Sequence, residues 1–527
     1  MATRPTLDAS VTAETITSVI SPAHVAALLD RKGYCPETRE IIETENLLPA
    51  ALLGRLHSNY PQHSGLLETR PLLFRGREQY AGLPGLRAVM GILEENGIHI
   101  GHVHERELFA EVYRFLATRH ALNSIDWDDY ERDSMFQLVI PQPGMLRPEL
   151  VEAHARAGSD VERRRVISDY MEKTNPHDGH QLLNKPWIET EGGLEIVAGS
   201  QHKYPHCQLL FDRTTQSCYA FCTYCFRHAQ VRGDQDMFVQ EDIGQVHRYL
   251  REHREVTDLL ITGGDGGYMP IDRLREYVTP ILDEAALGHV RTIRLASRAL
   301  SYHPELILTR EYDEYLEFFR TIVDGGVQLA WMAHFSTPRE LLNPSTIAAI
   351  RRLQRNGALV RSQSPIMNHI SLFTDEEGRV DVERSAQNWI DLGNVLAMLR
   401  VGFHSMYCAR PTGEHHYFSA PLADIVEVFS RVYRSLPSIS RPSRYISMTT
   451  SAGKLSLLGT VEVGGEKAFA LKFTQSRNME WMDRVFLARY DATTNSVTEL
   501  EPFDTPDFFF EDELKEIEDG LAAVHRR

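Results

Sequence analysis

The chain has 527 residues, 42% of them hydrophobic and 24% charged, which is enough apolar sequence for a large buried core. Its 56 lysines and arginines against 73 aspartates and glutamates leave a net charge of −17, so affinity for nucleic-acid phosphates is not expected. No apolar run approaches the roughly 20 residues of a membrane span, and the first residues lack a basic-then-apolar signal pattern. We therefore expect a cytoplasmic protein that binds neither nucleic acid nor membrane.

Residues 1–200 are predicted to form a mostly helical extension. Apolar residues at three- and four-residue steps, closed by glycine, predict short helices over 21–33 and 84–97. The same periodicity predicts an amphipathic helix over 106–121 and a further helix over 160–174. The polar, turn-rich segment 175–193 is predicted to be a loop.

From about residue 205 short apolar runs alternate with helical stretches. Parallel strands joined by helices need right-handed crossovers, so this alternation predicts an α/β fold, with a partial (β/α)6 barrel over 201–440. In such barrels the functional side chains lie on loops at the carboxyl ends of the strands. The six apolar runs occupy 207–211, 257–262, 291–296, 327–333, 358–363 and 399–405.

Residues 441–527 lack this alternation and are predicted to form a C-terminal segment of their own. The acidic end of the chain, 506–527, is predicted to be a helix. Before it, runs rich in β-branched and aromatic residues predict the strands of a small appended sheet, at 444–454, 459–465, 467–473 and 484–491.

Three cysteines in the loop after the first apolar run are the most informative feature. Cys218, Cys222 and Cys225 have the spacing C-x3-C-x2-C, which supplies three thiolates where a [4Fe-4S] cluster has four irons. One iron would then be open to a small molecule. Three other interpretations compete with the cluster. A zinc site would need a fourth ligand, and disulfides would need an oxidising compartment. Ordinary buried thiols would need no partner at all. The remaining cysteines form no second pair: Cys35, Cys207 and Cys408.

The aromatic Tyr224 directly before the third cysteine is typical of enzymes that bind S-adenosylmethionine (SAM) on the open iron and cleave it to a radical. Tyr224 is expected to lie against the adenine, or else simply to pack within its loop. Gly263, Gly264 and Asp265 follow the second apolar run, where glycines let backbone approach a ligand closely. The carboxylate could hold the amino group of SAM, although the same residues also suit a plain tight turn.

With these motifs together, the sequence resembles the lysine 2,3-aminomutase family of radical SAM enzymes, over roughly residues 200–460. The resemblance implies a radical SAM partial barrel that holds a [4Fe-4S] cluster, SAM and pyridoxal 5′-phosphate (PLP). It also implies an amino acid substrate, an electron donor such as flavodoxin or ferredoxin, and a homo-oligomer. The matching segments are 202–205, the cysteine loop, the glycine turn, 293–298, 333–335, 362–364 and 451–454.

The resemblance assigns roles to further residues. It makes Lys454, on a small-residue turn, the lysine that holds PLP covalently, although an isolated lysine on such a turn is ordinarily a surface residue. It places Arg227 near substrate and PLP, where the alternative is a loop ion pair. Lys203 and Tyr204 would serve the PLP phosphate, but Cys207 replaces the family's next basic residue. Contacts to SAM or PLP, or plain loop hydrogen bonds, are expected from Ser297, Arg298, His334 and Gln363.

The departures from the family bear on the substrate. Lysine-specific members hold the distant ammonium of lysine with two aspartates, and this chain has neither: Ala409 and Arg410 follow Cys408, and Ser447 precedes Lys454 by seven residues. Lysine is therefore a poor candidate, because its ammonium would be buried unpaired. Arg410, Arg441 or Arg444 could pair with the second carboxylate of an acidic substrate, whereas a small neutral amino acid would need no partner. No cysteine follows Cys408, so the family's C-terminal zinc site is missing.

The resemblance implies that a 5′-deoxyadenosyl radical removes a hydrogen atom from the β-carbon of the PLP-bound amino acid, after which the α-amino group moves to that carbon. Two other functions compete with this one. The first is a radical SAM enzyme of the same scaffold with a different outcome, or one that acts on a protein-bound lysine without PLP. The second is a non-enzymatic protein that binds iron or zinc.

Overall fold

The computed structural model describes residues 72–174, 182–232 and 237–525, together with Glu37 and Glu40. The helix predicted over 21–33 lies outside the described residues. Within them, no helix is both long enough and apolar enough to cross a membrane.

The N-terminal region contains helices and two short strands. β1 and β2 pair antiparallel, with Gln79 opposite Thr118. The helices predicted over 84–97 and 160–174 are confirmed. The elements in chain order are β1 (Gln79–Ala81), α1 (Gly82–Glu95), α2 (Val103–Val112), β2 (Leu116–Thr118), α3 (Arg119–Asn123), α4 (Ser134–Val139), α5 (Pro148–Arg156) and α6 (Asp160–Lys173).

The single helix predicted over 106–121 is wrong. The chain leaves the helical conformation after Val112, because residues 116–118 are needed as the partner strand of β1. Thr118 then begins a new helix, where its hydroxyl accepts a hydrogen bond from the Ala121 N–H at 3.1 Å. Tertiary strand pairing has therefore overridden a helical periodicity.

The loop predicted over 175–193 is partly wrong as well. Its second half enters a hairpin, β3 (Trp187–Thr190) and β4 (Gly193–Ile196), in which Trp187 lies opposite Ile196. Gly193 has φ of +114°, a conformation that favours glycine at the start of the returning strand.

The central sheet has 11 strands and is mixed, with a parallel middle. Strands β6 to β12 are parallel in sequence order, and β5 pairs antiparallel with β6. All six predicted apolar runs are confirmed as strands, β6 to β11. The strands are β5 (Ser200–Tyr204), β6 (Cys207–Phe211), β7 (Asp258–Thr262), β8 (Thr292–Ala296), β9 (Gln328–Ala333), β10 (Leu359–Ile366) and β11 (Gly402–Cys408).

Amphipathic helices connect these strands and cover the sheet. In the helix over 243–252, for example, Tyr249 and Leu250 follow Val246 by three and four residues, and all three are buried. The opposite face of the helix is charged. The helices are α7 (His228–Arg232), α8 (Ile243–Glu252), α9 (Ile271–Asp283), α10 (Ala299–Tyr302), α11 (Asp313–Asp324), α12 (Pro344–Arg355), α13 (Val382–Met398), α14 (His415–Phe418) and α15 (Leu422–Ser435).

The C-terminal strands extend the central sheet, so the expectation of a separate appended sheet is wrong. β12 joins β11 in parallel through the pair Tyr407 and Ser447, and the next three strands follow antiparallel in the same sheet. Backbone hydrogen bonding thus ties the segment that carries Lys454 to the parallel strands. These elements are β12 (Ile446–Thr449), β13 (Gly453–Val463), β14 (Glu466–Ser476), β15 (Val485–Arg489) and α16 (Glu511–His525), the last as predicted.

Candidate active site

A cavity of about 700 Å³ is lined by side chains from each of the parallel strands β6 to β12 and from the loops at their carboxyl ends. All but one of the residues assigned to a site from the sequence line it. Gly263 stands just behind the wall, where its carbonyl accepts a hydrogen bond from Arg227 at 3.2 Å. The others on the wall are Lys203, Tyr204, Cys218, Cys222, Tyr224, Cys225, Arg227, Gly264, Asp265, Ser297, Arg298, His334, Gln363 and Lys454.

The N-terminal region holds the cysteine loop in place. The Phe221 N–H donates to the Leu116 carbonyl at 2.7 Å, and the Thr223 N–H donates to the Leu138 carbonyl at 3.0 Å. The Thr223 hydroxyl donates to the Gln137 carbonyl at 2.7 Å. The segments around β2 and α4 therefore bind the backbone on both sides of Cys222.

The cysteines lie in surroundings that suit thiolate ligands of a cluster. Burial raises the pKa of Cys218, and raises that of Cys225 to about 12, so the thiolate form needs a positive partner such as iron. The Arg298 guanidinium donates to the Cys222 sulfur at 3.2 Å, and the Tyr302 hydroxyl lies 3.0 Å from it. Such hydrogen bonds to ligand sulfur are a normal feature of iron–sulfur sites.

A single-ion site is not formed. Across the described ranges, no three His, Cys, Asp or Glu side chains converge closely enough to hold one metal ion. The three cysteines of a four-iron cluster each bind a different iron, so they do not need to converge on one point. Three half-buried thiols on one loop are a donor set that fits such a cluster.

The glycine turn packs directly against Cys218 and the residues before it. A Cβ on Gly264 would stand 2.9 Å from the Cys218 sulfur and 2.8 Å from the Ser217 carbonyl oxygen. Gly263 has φ of +140°, and a Cβ there would stand 2.4 Å from the Thr215 hydroxyl. The two glycines therefore let the end of β7 approach the cysteine loop as closely as it does.

Asp265 has a different environment from the one expected of a free SAM ligand. Its two carboxylate oxygens accept backbone hydrogen bonds, from the Gly267 N–H and from the Arg298 N–H, each at 2.8 Å. Burial raises its pKa to about 6. These hydrogen bonds fix the turns after β7 and β8, and Asp265 itself lines the cavity.

Tyr224 belongs to a buried polar network. Its hydroxyl accepts a hydrogen bond from Arg298 at 2.9 Å and lies 3.1 Å from His334 Nε2. The other end of the Arg298 guanidinium pairs with Glu340 at 2.6 Å. Burial, reinforced by Arg298, lowers the pKa of His334 well below its ordinary value, so the ring is neutral. This network fixes the tyrosine ring beside the cysteines.

Glu340 was not assigned to the site from the sequence, although a signal for it exists. Thr337 and Glu340 form a capping box, the S/T-x-x-E pattern that begins a helical turn. The pattern predicts the turn after β9, but not that the same carboxylate also reaches Arg298 on β8's loop. That second contact depends on the register of neighbouring strands.

Lys454 begins β13 and points its amine over the ring of Tyr407, 5.2 Å from the ring centre. Among the described residues the amine has no hydrogen-bond or ion-pair partner. The turn before it is held by the Arg477 guanidinium, which donates to the Ser451 carbonyl at 2.9 Å, and by the Lys203 amine, which donates to the Thr450 carbonyl. A restrained turn thus presents an unbound amine to the cavity.

Of the three arginines considered for a second carboxylate, only Arg410 lines the cavity. Arg441 donates to the Leu436 carbonyl at 2.8 Å and stacks on Tyr433, outside the cavity wall. Arg444 is exposed. The expectation that Arg441 or Arg444 could reach a ligand here is therefore wrong, because Arg441 is held by Leu436 and Tyr433 and Arg444 faces solvent.

The inner end of the cavity carries an ion pair that the sequence did not single out. Arg294 on β8 donates to Asp258 on β7 at 2.8 Å, and to the Cys207 sulfur at 2.9 Å. Because Asp258 and Arg294 are both on the cavity wall and satisfy each other, they contribute little net charge to it.

Comparisons with known proteins show which enzymes the chain is similar to. A putative L-lysine 2,3-aminomutase of Aquifex aeolicus is 27% identical over 267 residues, 50% of this chain and 66% of that protein. The L-lysine 2,3-aminomutase of Bacillus subtilis is 26% identical over 368 residues, 68% of this chain and 67% of that protein. The glutamate 2,3-aminomutase of Clostridioides difficile is 29% identical over 174 residues, 32% and 37% of the two chains. No family model matches the chain.

Proposed function

We propose that the chain is a member of the lysine 2,3-aminomutase family, and that it is a radical SAM isomerase that uses PLP to move the α-amino group of an amino acid to the β-carbon. One observation carries the proposal. The three cysteines and Lys454, more than 200 residues apart in the chain, line one cavity at the carboxyl ends of parallel strands. Two cofactors that must meet at one substrate would need this arrangement.

The proposal includes a partial (β/α)6 barrel formed by β6 to β11. Its support is that each of these six parallel strands contributes to the wall of the same cavity, as expected of a curved sheet. The accompanying division of the chain is a helical extension over 1–200, the barrel over 201–440 and a C-terminal segment over 441–527.

Named residues would hold each cofactor. Cys218, Cys222 and Cys225 would bind the cluster, and the cavity wall at Gly264 and Asp265 would lie against the methionine part of SAM. When bound, the cluster and SAM supply a 5′-deoxyadenosyl radical, and PLP supplies covalent attachment of the amino group together with a π-system that permits its migration. Lys454 would provide the amine to which PLP attaches in the resting enzyme.

The protein's own contribution would be positioning and exclusion of water. Arg298 fixes the Tyr224 ring and the Cys222 sulfur through one guanidinium, so the adenine-binding ring and a cluster ligand move together. Buried aromatic side chains complete the wall and keep water from a reactive radical. They include Phe211, Phe221 and Phe238.

Lysine is not the substrate that this cavity favours. The Asp258 carboxylate on the wall is already paired with Arg294, and the Asp265 carboxylate accepts two backbone hydrogen bonds. A lysine side-chain ammonium would therefore enter without a free carboxylate partner among the described wall residues. We propose a neutral or acidic amino acid instead.

The test is anaerobic reconstitution of the full chain with iron and sulfide, followed by reduction and incubation with SAM, PLP and each of the twenty amino acids. We expect one or a few β-amino acid products, separated from the α-isomers by chromatography. Lys454→Ala should lower product formation by about 10³-fold or more and remove the absorbance of PLP bound to lysine. The cluster should remain, as measured by iron content.

Lys467→Ala is the matched control, because Lys467 lies on β14 with its amine 4.1 Å from the Tyr490 ring centre, away from the cavity. It should behave as wild type. Cleavage of SAM without PLP binding, or with PLP bound equally well by Lys454→Ala, would instead favour a radical SAM enzyme that acts without PLP. A protein that cleaves no SAM would contradict the proposal altogether.

A further inference from the structure

The cations on the cavity wall fall into two groups. The wall carries six lysines and arginines. Arg294 is paired with Asp258, and Arg298 is paired with Glu340. The other four have no carboxylate partner within the described part of the chain: Lys203, Arg227, Arg410 and Lys454.

Three of these four are accounted for by the proposed function. Lys454 would attach PLP, and Arg227 and Lys203 take positions that the family resemblance assigns to substrate and phosphate. Two of the three also make hydrogen bonds within the chain. Lys203 donates to the Thr450 carbonyl, and Arg227 donates to the Thr262 hydroxyl and the Gly263 carbonyl. Arg410 is left without an assigned task.

Like Lys454, Arg410 has no polar partner for its side chain among the described residues. It follows β11, and its half-buried guanidinium makes no hydrogen bond or ion pair with any described residue. Its one contact of note is the ring of Phe226, whose centre lies 5.4 Å from the guanidinium carbon. The guanidinium of Arg227 lies 5.2 Å from the same ring centre. Two cations therefore share one aromatic side chain.

The cations around Arg410 repel it. Its charge contributes to lowering the pKa of both Arg227 and Lys203, after the larger effect of burial, and burial also lowers the pKa of Arg410 itself. Like charges gathered at a half-buried wall are stable only when an anion comes to them. A guanidinium that uses none of its donors can bind a carboxylate or a phosphate in a bidentate manner.

We propose that Arg410 binds an anionic oxygen group of a ligand in this cavity and thereby excludes cationic side chains from it. The inference rests on the proposed function, which offers two sources of that group: the side-chain carboxylate of an acidic amino acid, or the phosphate of PLP. The second source would compensate for Cys207, which stands where the family has a basic residue. The charge required is the same for both, so the experiment has to separate them.

The test compares Arg410→Gln and Arg410→Lys with the control Arg444→Gln, an exposed arginine outside the cavity. The first arm titrates PLP into the cluster-loaded protein without substrate and measures Kd by absorbance. The second arm measures how well amino acids compete for the site and how fast they are turned over. It compares acidic ones (glutamate and aspartate), neutral ones (alanine and leucine) and the basic lysine. Arg410→Gln should weaken the binding of either PLP or the acidic amino acids by about tenfold or more, and Arg410→Lys should restore part of that affinity. Arg444→Gln should change neither affinity.

A rise in the Kd of PLP for Arg410→Gln identifies the phosphate as the bound group. Lost binding of glutamate or aspartate at unchanged Kd of PLP identifies the side-chain carboxylate. If Arg410→Gln leaves both arms unchanged, or if lysine is turned over as well as acidic amino acids by the wild type, the inference is overturned.

A third measurement separates this inference from the proposed function. Inorganic phosphate and L-glutamate are each added to the cluster-loaded protein without PLP or SAM, and the shift in Tm is recorded. Stabilisation that is lost in Arg410→Gln would support the anion site even if no β-amino acid were ever formed. If the wild type shows no such shift in Tm, and Arg410→Gln changes neither the Kd of PLP nor the binding of amino acids, the anion site is contradicted. SAM cleavage and PLP binding would still test the proposed function separately.

Discussion

Two regions outside the six parallel strands each bring one reactive group to the cavity, and they do so differently. Around β2 and α4, the N-terminal region binds the cysteine loop through backbone hydrogen bonds on both sides of Cys222. At the other end of the chain, β12 and β13 hold the turn before Lys454, while its amine makes no hydrogen bond with any residue that the structure describes. One region immobilises its group, and the other immobilises only the base of a long side chain.

The difference matches what each group would have to do. Cluster ligands must keep fixed distances among several irons, so every degree of freedom in the cysteine loop works against binding. A lysine that attaches PLP and then gives way to a substrate amine must be able to swing. The comparison predicts that disturbing either region impairs one cofactor and spares the other.

Among the variants that test this comparison, Gly453→Ala should have the largest effect. A Cβ there would stand 2.4 Å from the Gln475 carbonyl oxygen and 2.7 Å from the Ser476 Cα, so the pairing of β13 with β14 must shift and carry Lys454 with it. A displacement of about 1 Å can lower turnover by about 10²-fold. We expect loss of the PLP absorbance with iron content unchanged.

Gly91→Ala is the control for that variant, because a Cβ on Gly91 in α1 meets nothing within 4 Å. It should bind both PLP and iron normally. If Gly453→Ala lost iron together with PLP, the two regions would not be independent and the comparison would fail.

Thr223→Val should have a smaller effect, and it should impair the cluster rather than PLP binding. The substitution removes the hydroxyl that donates to the Gln137 carbonyl at 2.7 Å and leaves that carbonyl unpaired, at a cost of about 1–3 kcal/mol. The cysteine loop should become more mobile, release iron to a chelator faster, and cleave SAM about tenfold more slowly. PLP absorbance should not change.

Thr223→Ser keeps the hydroxyl and should restore the wild-type rate of iron release. The interpretation would be wrong if Thr223→Val released iron at the wild-type rate, since the N-terminal region would then be merely a cover.

The sequence predicts the central strands well, and the reason is local. Each strand from β6 to β11 is a short apolar run between turn residues, and the cysteine spacing is readable without a fold. Arg441 and Arg444 show where such reasoning ends. Their charge suggests a ligand role, but whether such a side chain reaches the cavity is set by packing.

The roles of the N-terminal region could not be predicted for a related reason. The hydrogen bonds from Phe221 and Thr223 go to backbone carbonyls about 100 residues away, and every residue type has such a carbonyl. Only the broken helix over 106–121 carries a trace of this contact, since β2 interrupts it to pair with β1. Strand pairing between distant segments leaves little mark on composition or periodicity.

The smallest expected effect concerns how the N-terminal region attaches to the cavity loop after β11. Glu414 in that loop accepts hydrogen bonds from the hydroxyls of Tyr113 at 2.8 Å and Tyr170 at 2.6 Å. His416 lies 3.5 Å away, and Arg147 is the next nearest charge to act on the carboxylate. Burial raises the pKa of Glu414 to about 7.

Because this pKa lies above the ordinary value of 4.5, the folded protein holds the proton of Glu414 more tightly than the unfolded chain does. The resulting stabilisation is complete below pH about 4.5 and is lost as the pH rises through about 7. From pH about 5.5 to about 8 the loss is about 2 kcal/mol, or about 2 °C in Tm for a chain of this size. Glu414→Gln cannot ionise, so its Tm should lack this component of the pH dependence, whereas Glu427→Gln, on the exposed face of α15, should retain it. A wild-type slope in Glu414→Gln would show that the carboxylate is ionised in the folded protein and that the N-terminal region is held by other contacts.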